Sequence, residues 1–149
     1  MTLTIRALRT GDKPDWQRLY DGYHRFYQRP DLPQDFFDQA FGRLLSGEAA
    51  DFHALVAEDA GRLVGLAHYV FHPHLWRPEG ICYLQDLFTD ADARGMGVGR
   101  SLIQAVYAAA DAVGVPMVYW TTAENNYPGR MLYDRVGEKT PFIKYNRKL

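Results

Sequence analysis

Cysteine is nearly missing: one, Cys82, in 149 residues. A single cysteine excludes an intramolecular disulfide and suits a reducing compartment. An excess of either charge is missing too, because 17 lysines and arginines face 18 aspartates and glutamates, for a formal net charge of −1. A nucleic-acid footprint needs a basic excess or stripe, and the only basic cluster is the short tail Lys144-Tyr145-Asn146-Arg147-Lys148. No apolar run is long enough to span a membrane and no leader pattern opens the chain. A soluble cytoplasmic protein is expected, with neither nucleic-acid nor membrane partners. Repeats and low-complexity linkers are lacking. His72 and His74 have no third ligand near them in sequence, so a solvated loop is expected there and no metal. What remains is a length suited to one domain, residues 1–149, with 47% hydrophobic residues to fill a core.

The most informative stretch is Asp86-Leu87-Phe88-Thr89-Asp90-Ala91-Asp92-Ala93-Arg94-Gly95-Met96-Gly97-Val98-Gly99-Arg100-Ser101-Leu102-Ile103. An apolar run enters it and an amphipathic helical pattern leaves it. The alternating glycines between them permit positive φ and close approach of a ligand to the backbone. Just before a helix, such a turn presents free N–H groups at the positive end of the helix dipole, which is an anion site suited to phosphate. A nucleotide P-loop requires Gly-Lys-Ser/Thr, and Gly99-Arg100-Ser101 has no lysine. A Rossmann loop requires G-x-G-x-x-G, and Arg100 stands where the third glycine belongs. Arg-Gly-x-Gly-x-Gly is left.

The rest of the chain alternates between two periods. Leu3–Leu8 reads as a strand. Trp16, Leu19, Tyr20, Tyr23 and Phe26 recur at helical spacing, in a helix dense enough in rings, with Tyr27, to line a pocket as well as a core. A second helix carries Phe36, Phe37, Ala40, Phe41, Leu44 and Leu45. Residues 52–58 and 62–71 read as a hairpin, with Gly65 marking a bulge or close approach. Residues 81–88 read as a central strand buried on both faces, in which Asp86 is costly unless paired or used. A helix over Leu102–Val113, a strand over Met117–Thr122, a short helix capped by Asn126, and a last strand over Phe142–Asn146 complete the order.

This order, together with Arg94-Gly95-Met96-Gly97-Val98-Gly99-Arg100 and Asn126-x-x-Gly129-x-x-x-Tyr133, resembles the GNAT family of acetyl-coenzyme A-dependent N-acetyltransferases over essentially the whole chain. The segments 83–88, 118–120 and 142–145 further resemble the branch related to the yeast Hpa-two acetyltransferase. The resemblance implies an α/β (α+β) fold: a mixed, mostly antiparallel sheet of six to seven strands, about four flanking helices, and splayed central strands holding the cofactor. It implies acetyl-coenzyme A as cosubstrate. Its pyrophosphate would lie on Gly95, Met96, Gly97, Val98, Gly99, Arg100 and Ser101, with Arg94 and Arg100 supplying charge. Its pantetheine arm would pair with the backbone at Leu87 and Thr89 and be held by Asn126 beside Gly129. An N–H near Phe88 would polarise the thioester carbonyl, and Tyr133 would protonate the departing thiolate. Two departures stand out: Tyr127-Pro128 at the entrance of the last helix, and Pro141 where the related branch has glycine.

The acceptor amine must lose a proton, which at pH 7 costs roughly 4–5 kcal/mol for a lysine-like amine. Glu79 and Asp86 are the candidate bases in or beside the central strand, and Asp86 is favoured because its buried setting is otherwise penalised. A carboxylate that merely accepts structural hydrogen bonds is the alternative. The expected activity is acetyl transfer to a small-molecule primary amine, polyamine-like or amino-acid-like, by direct attack in a ternary complex. The alternatives are a protein lysine or N-terminal acetyltransferase and a non-catalytic coenzyme A-binding module. By analogy the last strand could pair across subunits of a homodimer.

Overall fold

The computed structural model describes residues 2–149. Five strands and four α-helices follow in order: β1 (Leu3–Ala7), α1 (Lys13–Phe26), α2 (Gln34–Leu44), β2 (His53–Asp59), β3 (Arg62–His74), β4 (Arg77–Thr89), α3 (Val98–Ala112), β5 (Val118–Tyr119) and α4 (Tyr127–Val136). The sheet order is β1-β2-β3-β4-β5, antiparallel except for the parallel β4–β5 pair. Helices cover both faces. On one side Trp16, Leu19 and Tyr20 of α1 and Phe37 and Phe41 of α2 pack on Val56 and Leu66. On the other, Val98, Leu102, Ile103 and Val106 of α3 pack on Ala57, Ala67, Cys82 and Leu84. Spacings of three and four within each helix put these residues on one side, as the sequence periodicity demands.

The sheet has five strands where six to seven are expected. The strand read over Met117–Thr122 contracts to Val118 and Tyr119, because only Cys82 and Tyr83 pair with it. The strand read over Phe142–Asn146 is not formed: residues 137–149 adopt neither helix nor strand and have no ladder partner among the described residues. The histidine loop at 72–78 is instead the tip of a long hairpin, since β3 runs on to His74 and pairs with Arg77. Gly80 at φ +90° makes this possible, as a Cβ there would sit 3.0 Å from the His72 carbonyl oxygen.

Gly65 fulfils both readings made of it. Ala57 faces Gly65 while Glu58 faces Leu63, so Val64 is an extra residue in the ladder. A Cβ on Gly65 would meet Val98 Cγ1 at 2.7 Å, so the glycine lets the start of α3 settle directly on β3. That contact fixes the height of the glycine loop above the sheet.

Candidate active site

β4 and β5 part company after Tyr83 and Tyr119, their last paired residues. The gap opens into a cavity of about 590 Å³. Its walls are Leu84–Leu87 of β4, Trp120–Ala123 beyond β5, the rings of Tyr20, Tyr23 and Tyr27 on α1, and Tyr133 on α4. The parting leaves one edge of β4 without a neighbour. Cys82 N–H still donates to Met117 O at 2.9 Å, and farther along Asp90 N–H donates back across β3 to Val64 O at 2.8 Å. Backbone groups alternate along a strand. Counting back from Asp90, Phe88 N–H faces β3, whereas the amides of Leu87 and Thr89 face the gap. The resemblance implies a carbonyl-polarising N–H near Phe88, and the amides on either side of Phe88 are the ones that face the gap.

That alternation is set by a bulge. His68 faces Asp86 while Tyr69 faces Leu84, so Gln85 is an extra residue in β4. One inserted residue turns every following side chain to the other face. Cys82 and Leu84 point into the α3 core, but Asp86 emerges on the α1 side. There it meets a prepared set of donors. Trp16 Nε1 donates to His68 Nε2 at 3.0 Å. An indole N–H only donates, so His68 Nε2 accepts and the ring proton lies on Nδ1, which donates to Asp86 Oδ2 at 2.8 Å. Tyr20 donates to the same oxygen at 2.8 Å. Burial on its own raises Asp86, yet the His68 hydrogen bond, helped by the Tyr20 and Tyr23 hydroxyls, outweighs it and holds the carboxyl below its usual range. Asp86 is a buried anion at neutral pH, 4% exposed, in the wall of the cavity.

The glycine loop has the geometry of an anion cradle. Gly95 and Gly97 take φ +78° and +82°, and a Cβ at either would touch nothing, so it is conformation and not space that demands glycine. Gly97 caps α3 without a side-chain bond, and the first amide to close an α-helical turn is that of Ser101, bonded to Gly97 O at 3.0 Å. The amides of Val98, Gly99 and Arg100 are left without intrahelical partners at the positive end of a 15-residue helix. Ser101, expected in the same cradle, has its amide already engaged. Arg94 is braced beside the loop: its Nε donates to Thr89 O at 3.1 Å, and its guanidinium lies 5.5 Å from the Phe88 ring and 5.8 Å from Phe26. Met96 and Arg100 are exposed on the loop. An unpaired row of amides with two arginines fits a pyrophosphate.

Asn126 caps α4, its Oδ1 accepting from Gly129 N–H at 3.3 Å and its Nδ2 donating to Thr122 Oγ1 at 2.9 Å. The glycine at 129, where the resembling family has alanine, follows from this: a Cβ there would stand 2.5 Å from Asn126 Nδ2. Asn126 retains one amide hydrogen and a lone pair for a ligand. Two turns on from Asn126, Tyr133 lines the cavity with its ring 5.6 Å from Trp120. Burial, and to a lesser extent Tyr27 across the cleft, push its phenol up to about 12, so it remains protonated at neutral pH.

Glu79, the second candidate base, is exposed near the hairpin tip and is not part of the cavity wall. Burial pushes the Cys82 thiol up to about 11, which makes it an inert core residue. Among the described residues no group of three or more potential ligands is placed to hold a metal. His68, His24 and Arg29 were not singled out from sequence. A signal for the bulge did exist: regular alternation would place Leu84 and Asp86 on one face, and an apolar residue and a carboxylate rarely share one.

Comparison with known proteins places the chain in a family and agrees with its fold. Residues 16–137 match the model of the acetyltransferase (GNAT) family. The chain is 34% identical over 146 residues to the D-amino-acid N-acetyltransferase HPA3 of Saccharomyces cerevisiae, covering 97% of this chain and 90% of that protein. Among solved structures, AAC(6')-Iy in complex with the bisubstrate analog CoA-S-monomethyl-acetylneamine superposes with a TM-score of 0.86 at 19% identity, covering 100% of this chain and 99% of that one. A ribosomal-protein-alanine N-acetyltransferase from Brucella melitensis biovar Abortus 2308 gives 0.82 at 23% identity, covering 99% and 100%. With that family match and that relative, the chain belongs to the GNAT acetyltransferase family.

Proposed function

We propose that the protein, acting as one domain over its whole length, transfers an acetyl group from acetyl-coenzyme A to a primary amine of a small molecule by direct attack in a ternary complex. The observation that carries this reading is the convergence on one cleft of the α3 amide cradle, the open edge of β4, Tyr133 and the buried Asp86. The cosubstrate supplies the activated acetyl thioester. Val98, Gly99 and Arg100 amides hold its pyrophosphate, with Arg94 and Arg100 balancing charge. The Leu87 and Thr89 backbone pairs with the pantetheine as a strand would, and one of these amides donates to the carbonyl oxygen as it gains charge. Asn126 holds the same arm with its remaining amide hydrogen.

Asp86 draws the acceptor ammonium into the cavity. The ammonium gives one proton to bulk water before it attacks, and Asp86 stabilises the positive charge that then grows on the amine nitrogen, whose second proton leaves to water as the tetrahedral intermediate collapses. Its depressed proton affinity suits this better than the base role expected of it. Tyr133 hands its proton to the departing thiolate. A phenol already raised by burial to about 12 and a thiol near 8.5 in water make the step uphill, and burial of the thiolate in the same cleft raises its thiol and narrows the gap.

A cavity of about 590 Å³ walled by rings suits a small molecule better than a protein chain. The yeast relative is named for D-amino acids, which have that size. A homodimer forms part of the reading. Phe142, Ile143 and Tyr145 are at least 77% exposed, in a segment with no ladder partner among the described residues, and a second copy would bury them. No helix among the described residues is long and apolar enough to cross a membrane. The direct test is release of coenzyme A thiol across amino acids, polyamines, aminoglycosides and a lysine peptide. Turnover with a small amine supports the reading, and tight coenzyme binding without turnover on any amine contradicts it.

A further inference from the structure

The cavity that holds the Asp86 anion also holds an arginine with no carboxylate partner among the described residues, Arg29. Arg43 lines the cavity as well, but Asp51 accepts from its Nε at 3.0 Å and Phe52 lies 5.0 Å beneath its guanidinium. Arg29 is exposed, and its guanidinium lies against His24 and Phe36 without being neutralised. Its backbone N–H donates to His24 O at 2.8 Å, its Nη1 lies 3.4 Å from His24 Nδ1, and its guanidinium sits 6.0 Å from the Phe36 ring centre.

The hydrogen-bond roles follow from the inventory of each group. An arginine has donors only, so His24 Nδ1 accepts and the proton of the neutral ring lies on Nε2. That Nε2 is buried and has no partner among the described residues. Such a donor is rarely left unmet in a folded protein. His24 is 3% exposed and stacks edge-on against Tyr20 at 4.4 Å. Tyr20 also donates to Asp86 at 2.8 Å. Two rings, Tyr20 and His24, therefore stand between an anion and a free cation that line a single cavity, which is the charge pattern of a zwitterion reversed.

We propose that Arg29 receives the carboxylate of an amino-acid acceptor while Asp86 receives its ammonium, and that His24 is a positioning residue that holds the guanidinium toward the cavity. The proposal rests on the acceptor site described under the proposed function and goes further, because it assigns the specificity to residues. Amines without a carboxylate, polyamines and aminoglycosides among them, lose the Arg29 contact and bring extra positive charge to it. A planar guanidinium takes a carboxylate through two parallel bonds, so the discrimination is expected to be about ten- to a hundredfold in affinity.

The test is calorimetric titration of the coenzyme A-loaded protein with both enantiomers of phenylalanine and with phenylalaninamide, which keeps the ammonium and lacks the carboxylate. The acid is expected to bind about ten- to a hundredfold more tightly than the amide. Arg29→Gln should abolish that preference by weakening the acid and leaving the amide unmoved. His24→Phe should lose most of it, and His24→Gln, whose amide oxygen can again accept from Arg29, should restore it. Equal binding of acid and amide by the wild type, or no binding of either, overturns the assignment. So does an equal loss for both ligands in the variants. Acetyl transfer measured alongside reports separately: a retained carboxylate preference with no turnover on any amine would refute the acetyltransferase reading and leave Arg29 as the carboxylate site.

Discussion

His68 Nδ1 lies 2.8 Å from Asp86 Oδ2 only because Gln85 has been inserted between Leu84 and Asp86 in the ladder. Without the bulge the carboxylate would enter the α3 core, among Leu102, Ile103 and Val106. With it, the same residue meets His68, Tyr20 and Tyr23 beside the cavity. A backbone irregularity thus decides whether the charge is buried unpaired or is met by donors beside the cavity.

Asp86→Asn should keep the fold and remove the anion. Acceptor binding is expected to weaken, with kcat/KM falling about 10–100-fold, in line with the loss of one charge-assisted hydrogen bond of about 1.5–3 kcal/mol. Steady-state kinetics against amine concentration, with circular dichroism as the folding control, check this. An unchanged kcat/KM would remove Asp86 from the acceptor site.

Gly65→Ala should destabilise by about 1–3 kcal/mol through overpacking, since the new methyl would lie 2.7 Å from Val98 Cγ1. Val98→Ala on the same background should recover part of that loss by making room. Urea unfolding of the two single variants and the double variant measures the coupling. Simple additivity would show that the contact does not set the seat of α3.

Gly97→Ala behaves differently. Its Cβ would meet nothing, but φ +82° is strained for any residue with a side chain. A stability loss of about 1 kcal/mol is expected, together with weaker coenzyme A binding as the amide cradle distorts. Coenzyme affinity equal to wild type would separate the loop from the phosphate.

His24 also gives the stability a defined dependence on pH. Burial, reinforced by Arg29 and opposed by the Asp86 charge, holds its imidazole below the usual value. The unfolded chain therefore takes up the proton first as pH falls. The contribution of the neutral ring is complete above about pH 6.5 and is lost as the pH drops toward the depressed native value. Urea midpoints between pH 8 and 5 should fall more steeply for wild type than for His24→Gln. Asp86 works in a separate window, losing its contribution only as pH falls from about 3.9 through its lower native value. Parallel midpoint curves would show that His24 does not titrate on unfolding.

Much of this was legible in the sequence. The alternating glycines, the helix behind them and the Asn126–Tyr133 spacing gave the loop and the capped helix, because local periodicity and capping decide those features. The apolar helical faces of α1 and α2 were legible for the same reason. The Asp86 network was not, since Trp16, His68 and Asp86 lie 52 and 18 residues apart along the chain and meet only through sheet register. The short β5 and the unformed last strand were misread because a strand pattern states a tendency, whereas a ladder requires a neighbour. Arg29 and His24 carried no signal, since their significance lies in which partners they lack.

The central claim is that this cleft transfers acetyl groups with Tyr133 as the acid. The measurement that tests it most directly is release of coenzyme A thiol by wild type and by Tyr133→Phe, with coenzyme binding measured on both. Turnover with a small amine is expected for wild type, and a loss of about 10²–10⁴-fold in kcat for the variant, with coenzyme affinity unchanged. Equal turnover by the two proteins would contradict the role of Tyr133, and no turnover by the wild type on any amine would contradict the claim itself.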